Sequence, residues 1–346
     1  MKTIIKTINP ENIDMDIIEE FGKMLADGKT VIFPTETVYG LGANALDENA
    51  ATKIYEAKGR PSDNPLLVHV SNIEDVYALV EEVDKKAKLL MEKFWPGPLT
   101  ILFNKKDIIP DRTSGGLSTV AIRMPSDEVA RNLIKASKVP IAAPSANISG
   151  KPSPTKAEHI IKDMDGRVDG ILVGKDCDFG VESTIIDLSG DCPLVLRPGC
   201  ITLEMLRDVL GNVEIDLSLM NLADNIKAKA PGMKYKHYSP NAEVYIVSGE
   251  NEKKIKKINE LIEENSKKGL KTGVLCMKKN SSKYNTRTFD LGDSYEEVAH
   301  NLFGELIRLD ELGIDIAYAE SFEEKGVGVA IMNRLKKSAA YRIIEA

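Results

Sequence analysis

Two cations flank a flexible residue in Lys58-Gly59-Arg60-Pro61, and that spacing lets Lys58 and Arg60 clamp neighbouring phosphate oxygens. By itself such a pair is usually a solvated surface charge pair. The segment runs through Asn64 and Pro65 into an apolar stretch that ends at His69. A second cluster, Ala143-Pro144-Ser145-Ala146-Asn147-Ile148-Ser149-Gly150-Lys151-Pro152-Ser153, is dense in hydroxyls and prolines. A third, Pro34-Thr35-Glu36-Thr37-Val38-Tyr39-Gly40-Leu41-Gly42, crowds hydroxyls, a carboxylate and glycines at a strand exit, where a bare backbone can approach a ligand closely. In Thr119-Val120-Ala121-Ile122-Arg123, alternation puts Arg123 on the same face as Thr119 and Ala121, where an unpaired guanidinium is costly. Arg123 therefore needs an anion, which is either a protein carboxylate or a ligand carboxylate. Val181-Glu182-Ser183-Thr184 and Leu196-Arg197-Pro198-Gly199 add a hydroxyl pair and one more cation.

Other chemistries lack their parts. No Gly-x4-Gly-Lys-Ser/Thr loop is present, and Gly40-Leu41-Gly42-Ala43-Asn44-Ala45 matches the dinucleotide fingerprint only loosely, because a polar segment separates it from the preceding strand. Cys177, Cys192, Cys200 and Cys276 are scattered without ligand spacing, and His69, His159, His237 and His300 form neither a zinc pattern with them nor a Ser-His-Asp arrangement.

The elements that must position these segments are legible from periodicity. Apolar runs at Thr30–Pro34, Leu66–Val70, Leu99–Phe103, Val120–Arg123, Ile141–Ala143, Ile171–Val173, Ser183–Leu188 and Leu194–Leu196 read as strands. Asp14–Asp27, Ala50–Ala57, Ile73–Glu92, Asp127–Lys138 and Thr155–Met164 read as helices, with Ser126 as an N-cap. Their irregular interleaving predicts an α/β fold with a mixed sheet. From Asn241 onward strands and helices alternate regularly, which predicts a smaller parallel α/β domain. A chain of 346 residues exceeds what one core usually serves, and the expected division is a catalytic domain over 1–216, a linker over 217–240 and a second domain over 241–346. The linker is rich in Tyr, Lys and His as well as Pro and Gly, so it reads as functional.

The net charge of −7 is uneven: residues 1–220 carry 25 Lys+Arg against 34 Asp+Glu. That is not the balance of a dedicated nucleic-acid binder. Residues 1–14 lack an apolar core of the signal-peptide kind, and no run approaches the ~18 apolar residues of a membrane span, so a cytoplasmic protein is expected, with no membrane partner.

Taken in order, Thr35–Gly42, Lys58-Gly59-Arg60-Pro61 with Asn64-Pro65-Leu66, Ser145–Gly150 and Val181–Thr184 closely resemble the YrdC-like family of threonylcarbamoyl-AMP synthases. The linker and the domain after Asn241 resemble its long, two-domain form. The resemblance implies an N-terminal YrdC-like mixed twisted sheet with helices, followed by a Rossmann-like α/β domain. It implies a nucleotidyltransferase that makes L-threonylcarbamoyladenylate and pyrophosphate from L-threonine, bicarbonate or CO2, and ATP, for N6-threonylcarbamoyladenosine in tRNA. Motif by motif, it assigns Lys58, Arg60, Asn64, Thr119, Ser145, Asn147, Ser153 and Arg197 to ATP, with Lys58, Arg60, Ser145 and Asn147 as the catalytic group. Thr35, His69, Arg123, Ala143 and Ser183 would surround threonine, and Tyr235 of the linker would touch the nucleotide. Mg2+ would come with ATP, held by phosphates rather than by a protein cage. The downstream tRNA threonylcarbamoyl transferase machinery would be a partner. The residue inventory suits a reaction that needs positioning and charge stabilisation more than a strong base. Two rival readings are an RNA-binding module without ATP turnover and a carbamoyl-transfer domain like that of hydrogenase maturation proteins.

Overall fold

The computed structural model describes residues 2–216 and 238–346. These fall into two compact units, one built from the described residues up to Asp216, the other from Tyr238 onward together with Gly150–Pro152 and Phe179–Val181.

The first unit is laid on an eleven-stranded sheet. Its strands are β1 (Ile4–Thr7), β2 (Val31–Phe33), β3 (Gly40–Asn44), β4 (Leu67–His69), β5 (Leu99–Asn104), β6 (Thr119–Arg123), β7 (Ile141–Ala142), β8 (Gly170–Val173), β9 (Thr184–Asp187), β10 (Leu194–Arg197) and β11 (Glu214–Ile215). They lie in the order β1-β8-β2-β3-β7-β4-β6-β5-β9-β10-β11. Parallel pairs such as β4–β6 and β5–β9 alternate with antiparallel ones such as β2–β3 and β5–β6, so the expected mixed sheet is the observed one. Its helices are α1 (Met15–Ala26), α2 (Glu48–Lys58), α3 (Glu74–Leu79), α4 (Lys85–Phe94), α5 (Asp111–Ser114), α6 (Glu128–Ser137), α7 (Ala157–Met164) and α8 (Leu203–Leu210).

Period-two alternation divides the core between the two faces of the sheet. Val31 and Phe33 join Phe21 and Leu25 of α1 and Leu133 of α6 on one face, while Ile32, between them, joins Leu41, Ile54 and Val68 on the other. Each such large side chain contributes roughly 1.5–3 kcal/mol on burial.

Three local expectations are corrected. The helix expected over Ile73–Glu92 is two, because Val80 forms a bridge with Lys105 and Asp84 then caps α4 by accepting from the Ala87 N–H. The cap of α6 is Asp127, whose side chain accepts from the Ala130 N–H, and not Ser126, whose N–H is drawn to Glu36. Gly40–Gly42 lie in a strand and not in an open loop. A Cβ on Gly42 would stand 2.7 Å from Phe33 Cε1 and 2.8 Å from Ile141 Cγ2, so that glycine makes room for the core rather than for a ligand.

The second unit has five parallel strands, β12 (Glu243–Ser248), β13 (Thr272–Cys276), β14 (Arg287–Asp290), β15 (Ile316–Glu320) and β16 (Ile343–Glu345), in the order β14-β13-β15-β12-β16. The connecting helices are α9 (Asn251–Lys267), α10 (Tyr295–Glu311) and α11 (Gly328–Ser338), and Ser294 with Glu297 forms a reciprocal capping box at the start of α10. This is the expected smaller Rossmann-like domain. Among the described residues no helix is long and apolar enough to cross a membrane.

The approach of α1 to α6 rests on Gly22, where an added Cβ would stand 2.8 Å from Ala136 Cβ and 2.9 Å from its carbonyl carbon. Gly22→Val is expected to destabilise the chain by roughly 2 kcal/mol through overpacking, read as a lower midpoint in urea denaturation. An unchanged midpoint would refute the close approach.

Candidate active site

The carboxyl end of α2 sets the first part of the site. Gly59, at φ 61°, closes the helix in the left-handed conformation that a side chain resists, so Lys58 is held on the last helical turn and Arg60 lies beyond it. Lys58 is only 1% exposed. Its ammonium has three acceptors for three protons: Ser145 O at 2.5 Å, Asn147 O at 2.6 Å and Asn147 Oδ1 at 3.3 Å. Ser149 N in turn donates to Lys58 O. Lys58 therefore fixes the Ser145–Asn147 loop from inside the protein, and Ser145 Oγ completes the knot by donating to Asn147 Oδ1 at 2.5 Å. Burial, with help from Arg60, pushes the Lys58 pKa well below its ordinary value, and Glu182 opposes that shift. Arg60, half-buried, donates from Nε to Asn64 O and from Nη2 to Pro65 O, while Asn64 is buried with its Oδ1 lacking a partner.

The second part surrounds Arg123, at the end of β6. The question its sequence leaves open is answered first by the protein: Nη2 lies 2.7 Å from Glu36 Oε1 in a buried ion pair, and Nη1 donates to Thr37 Oγ1 at 2.8 Å. Nη2 thus has Glu36 Oε1 as its partner, while Nε of Arg123 and Oε2 of Glu36 are buried without a hydrogen-bond partner. Burial pushes the Glu36 carboxyl up, yet Arg123 and the Ser126 N–H outweigh it and hold it below the usual carboxylate range. Thr35 Oγ1 donates to Val38 O and meets Thr37 Oγ1 at 3.1 Å, which sets the turn carrying Glu36. His69 sits at the end of β4, beside Arg123 in register. Burial, then the Arg123 charge, lowers its pKa to about 3, so it is neutral at physiological pH and no strong base. Its Nδ1 is buried without a partner.

Ser183 and Arg197 form a third group. Arg197 donates from Nε to Ser183 O at 2.9 Å and from Nη2 to Ser183 Oγ at 3.0 Å, and Ser183 Oγ meets Thr100 Oγ1 at 2.7 Å. Ser153 Oγ donates to Glu182 Oε1 at 2.7 Å, and the charge of Glu182 reaches Lys58 while that of Arg197 reaches His69. Ala143 is buried, its N–H donating to Leu67 O, and Thr119 is half-exposed at the start of β6. Tyr235 lies outside the described residues. Sequence reasoning passed over Glu36 as a site residue; its signal was a carboxylate inside a run of hydroxyls on a strand exit. Among the described residues no group of three or more His, Cys, Asp or Glu is arranged to hold a metal.

Residues 23–199 match the family described as "Telomere recombination", which groups Sua5, YciO and YrdC proteins, and residues 201–340 match "Threonylcarbamoyl-AMP synthase, C-terminal domain". A threonylcarbamoyl-AMP synthase of Pyrococcus abyssi is 50% identical over 322 residues, 93% of each chain, and one of Bacillus subtilis is 46% identical over 331 residues, 94% of each. The crystal structure of P. abyssi Sua5 complexed with L-threonine superposes with a TM-score of 0.95 at 48% identity, covering 99% of this chain and all of that one.

Asp127, next to Ser126, is the second carboxylate of the region. Burial, reinforced by the Glu36 charge against the Ala130 N–H, raises its pKa from 3.8 to about 6. The folded chain therefore holds a proton there that the unfolded chain has lost between those two values. The stabilisation is complete below pH 3.8 and is lost as pH rises through about 6. Asp127→Asn keeps the cap and removes the titration, so it should gain up to about 3 kcal/mol relative to the parent between pH 4 and pH 7. Parallel pH profiles of urea stability for the two chains would contradict the shift.

Proposed function

The chain belongs to the YrdC-like threonylcarbamoyl-AMP synthase family in its long, two-domain form, and on that footing we propose that it converts L-threonine, bicarbonate or CO2, and ATP into L-threonylcarbamoyladenylate and pyrophosphate. The observation that carries the reading is the set of buried, unmatched polar atoms around Arg123 and Glu36, on a turn whose following strand bridges to the loop that Lys58 holds. A pocket with an unfilled guanidinium edge beside a lysine-fixed hydroxyl loop suits an amino acid placed next to a nucleotide.

In the reaction the ammonium of threonine first loses a proton to solvent, and the free amine then adds CO2 to give a carbamate, releasing a second proton to solvent. A carbamate oxygen then attacks the α-phosphorus of ATP, and the bond to the β-phosphate oxygen breaks to release pyrophosphate. The nucleophile is already an anion, so the neutral His69, with its low pKa, is no obstacle. We assign threonine to Thr35, His69, Arg123, Ala143 and Ser183, with the Nε–Nη2 edge of Arg123 as the carboxylate fork. ATP is assigned to Lys58, Arg60, Asn64, Thr119, Ser145, Asn147, Ser153 and Arg197, with Tyr235 as a further contact. Lys58 then works from beneath, fixing the loop, and Arg60, held by the Asn64 and Pro65 carbonyls, is assigned to the phosphates. Magnesium enters as part of the nucleotide substrate, carried by phosphate oxygens; the described side chains offer no carboxylate cage of their own. We assign catalysis to residues 1–216, the linker to 217–240 and an accessory role to 241–346. The product, a mixed anhydride, calls for an enzyme that transfers its acyl group to the adenosine amine of tRNA.

Purified protein should release pyrophosphate from MgATP only with both L-threonine and bicarbonate present; equal release without threonine would sink the substrate assignment. The pocket map makes a separate demand. Arg123→Lys keeps the charge opposite Glu36 but loses the fork, and should raise the threonine concentration at half-saturation about tenfold or more with ATP dependence little changed. Arg60→Ala should do the reverse, and steady-state kinetics with the two effects exchanged would refute the map.

A further inference from the structure

The unmatched atoms in the Arg123 pocket are of complementary kinds. Nε of Arg123 is an unmatched donor, and with the second N–H of Nη2, whose first serves Glu36, it forms the edge of the guanidinium that grips a carboxylate side-on. Glu36 Oε2 is an acceptor on an ionised carboxylate that is 1% exposed, and His69 Nδ1 is an acceptor in the tautomer that carries its proton on Nε2. An anion alone would satisfy the Arg123 edge and leave Glu36 Oε2 orphaned, at a cost that a buried charged acceptor makes large. Arg123 and Glu36 offset each other, so the pair itself favours a ligand that carries both charges. A zwitterion fits both halves: its carboxylate continues the alternation on the Arg123 side, and its ammonium continues it on the Glu36 side.

We propose that Glu36 is a binding residue for the ammonium of the amino-acid substrate. Oε1 stays with Arg123 and the Ser126 N–H, as it stands at 2.7 Å and 3.0 Å, while Oε2 accepts from the substrate nitrogen. The proposal rests on the reading of this pocket as the threonine site, and it makes Glu36 a determinant of specificity for α-amino over α-hydroxy acids. The competing role is that of a prop, in which Glu36 touches no ligand and only orients Arg123.

The two roles separate on a ligand that lacks the ammonium. (2S,3R)-2,3-Dihydroxybutyrate keeps the carboxylate, β-hydroxyl and methyl of L-threonine and replaces the ammonium with a hydroxyl. Binding of each ligand is measured by titration calorimetry to the full chain and to its Glu36→Gln and Glu36→Asp variants, with folding checked by circular dichroism. The parent should favour L-threonine. Glu36→Gln, which retains an acceptor for the Ser126 N–H, should weaken L-threonine about tenfold or more while shifting the dihydroxy acid by less than about threefold. Glu36→Asp should keep a preference for L-threonine. Equal losses for both ligands would make Glu36 a prop and overturn the proposal, as would an unchanged L-threonine affinity in Glu36→Gln. If Glu36→Gln does not fold, equal affinity of the parent for the two ligands overturns it without any variant. Failure of the parent to bind L-threonine at all would overturn the pocket reading itself, and the proposal with it, so the two failures are distinguishable.

Discussion

A buried ammonium or guanidinium persists only where polar atoms replace the water it has lost. Lys58 and Arg123 impose that demand on the first unit, and much of the local architecture of the site answers it. Lys58 is met by two main-chain carbonyls and one side-chain oxygen, all from the segment 145–147. Arg123 is met by Glu36 and Thr37 from the turn between β2 and β3. Each cation therefore ties a helix or strand end to a loop that has no regular secondary structure to hold it. The result is polar loops that are nevertheless fixed, which is the condition for binding a small ligand without a large ordering cost.

The sheet supplies the register that brings these demands together. His69 and Arg123 are direct neighbours across β4 and β6, and His69 also pairs with Ile141 of β7, the strand that leads to Ala143 and Ser145. Gly40 bridges to Ser145, and Ala146 N donates to Tyr39 O, so the turn bearing Thr35 and Glu36 and the loop bearing Ser145 and Asn147 are stitched edge to edge. A one-residue slip of β4 would carry His69 to the opposite face and break the set, which is why a buried sheet is a suitable scaffold for it.

What was legible in the sequence was chemistry held within one segment. The Lys58-Gly59-Arg60 turn, the hydroxyl-rich run from Ala143 to Ser153 and the awkward guanidinium at Arg123 all stand out from a few adjacent residues. The alternation after Asn241 likewise sufficed for the parallel second sheet. What was not legible depended on partners distant in the chain. Nothing near Lys58 shows that its ammonium turns inward to the 145–147 carbonyls rather than outward. Ser126 and Asp127 are both good caps, and it is the Asp127 side chain that accepts the Ala130 N–H, while the Ser126 N–H goes to Glu36, far away in sequence. Gly40 to Asn44 have low strand propensity and become a strand because β2 and β7 pair with them on either side.

The same contrast bears on how a pocket with so few strong acids and bases can serve an adenylation. A general base would have to keep a pKa near neutrality beside Arg123 and Arg197, and both charges, together with burial, drive His69 far below that. The charges that depress a base stabilise an anion, however. A carbamate needs no deprotonation once formed, and the pyrophosphate that leaves carries its own negative charge, so cations and fixed N–H and O–H donors are the useful groups at both ends of the reaction. Glu36 is an ionised carboxylate held hard against this positive field, and it is held there by Arg123 itself. Its presence means that the Arg123 pocket, to which we assign the amino acid, is balanced rather than simply cationic. A balanced site takes up a neutral zwitterion without attracting the free phosphates that a bare pair of arginines would collect.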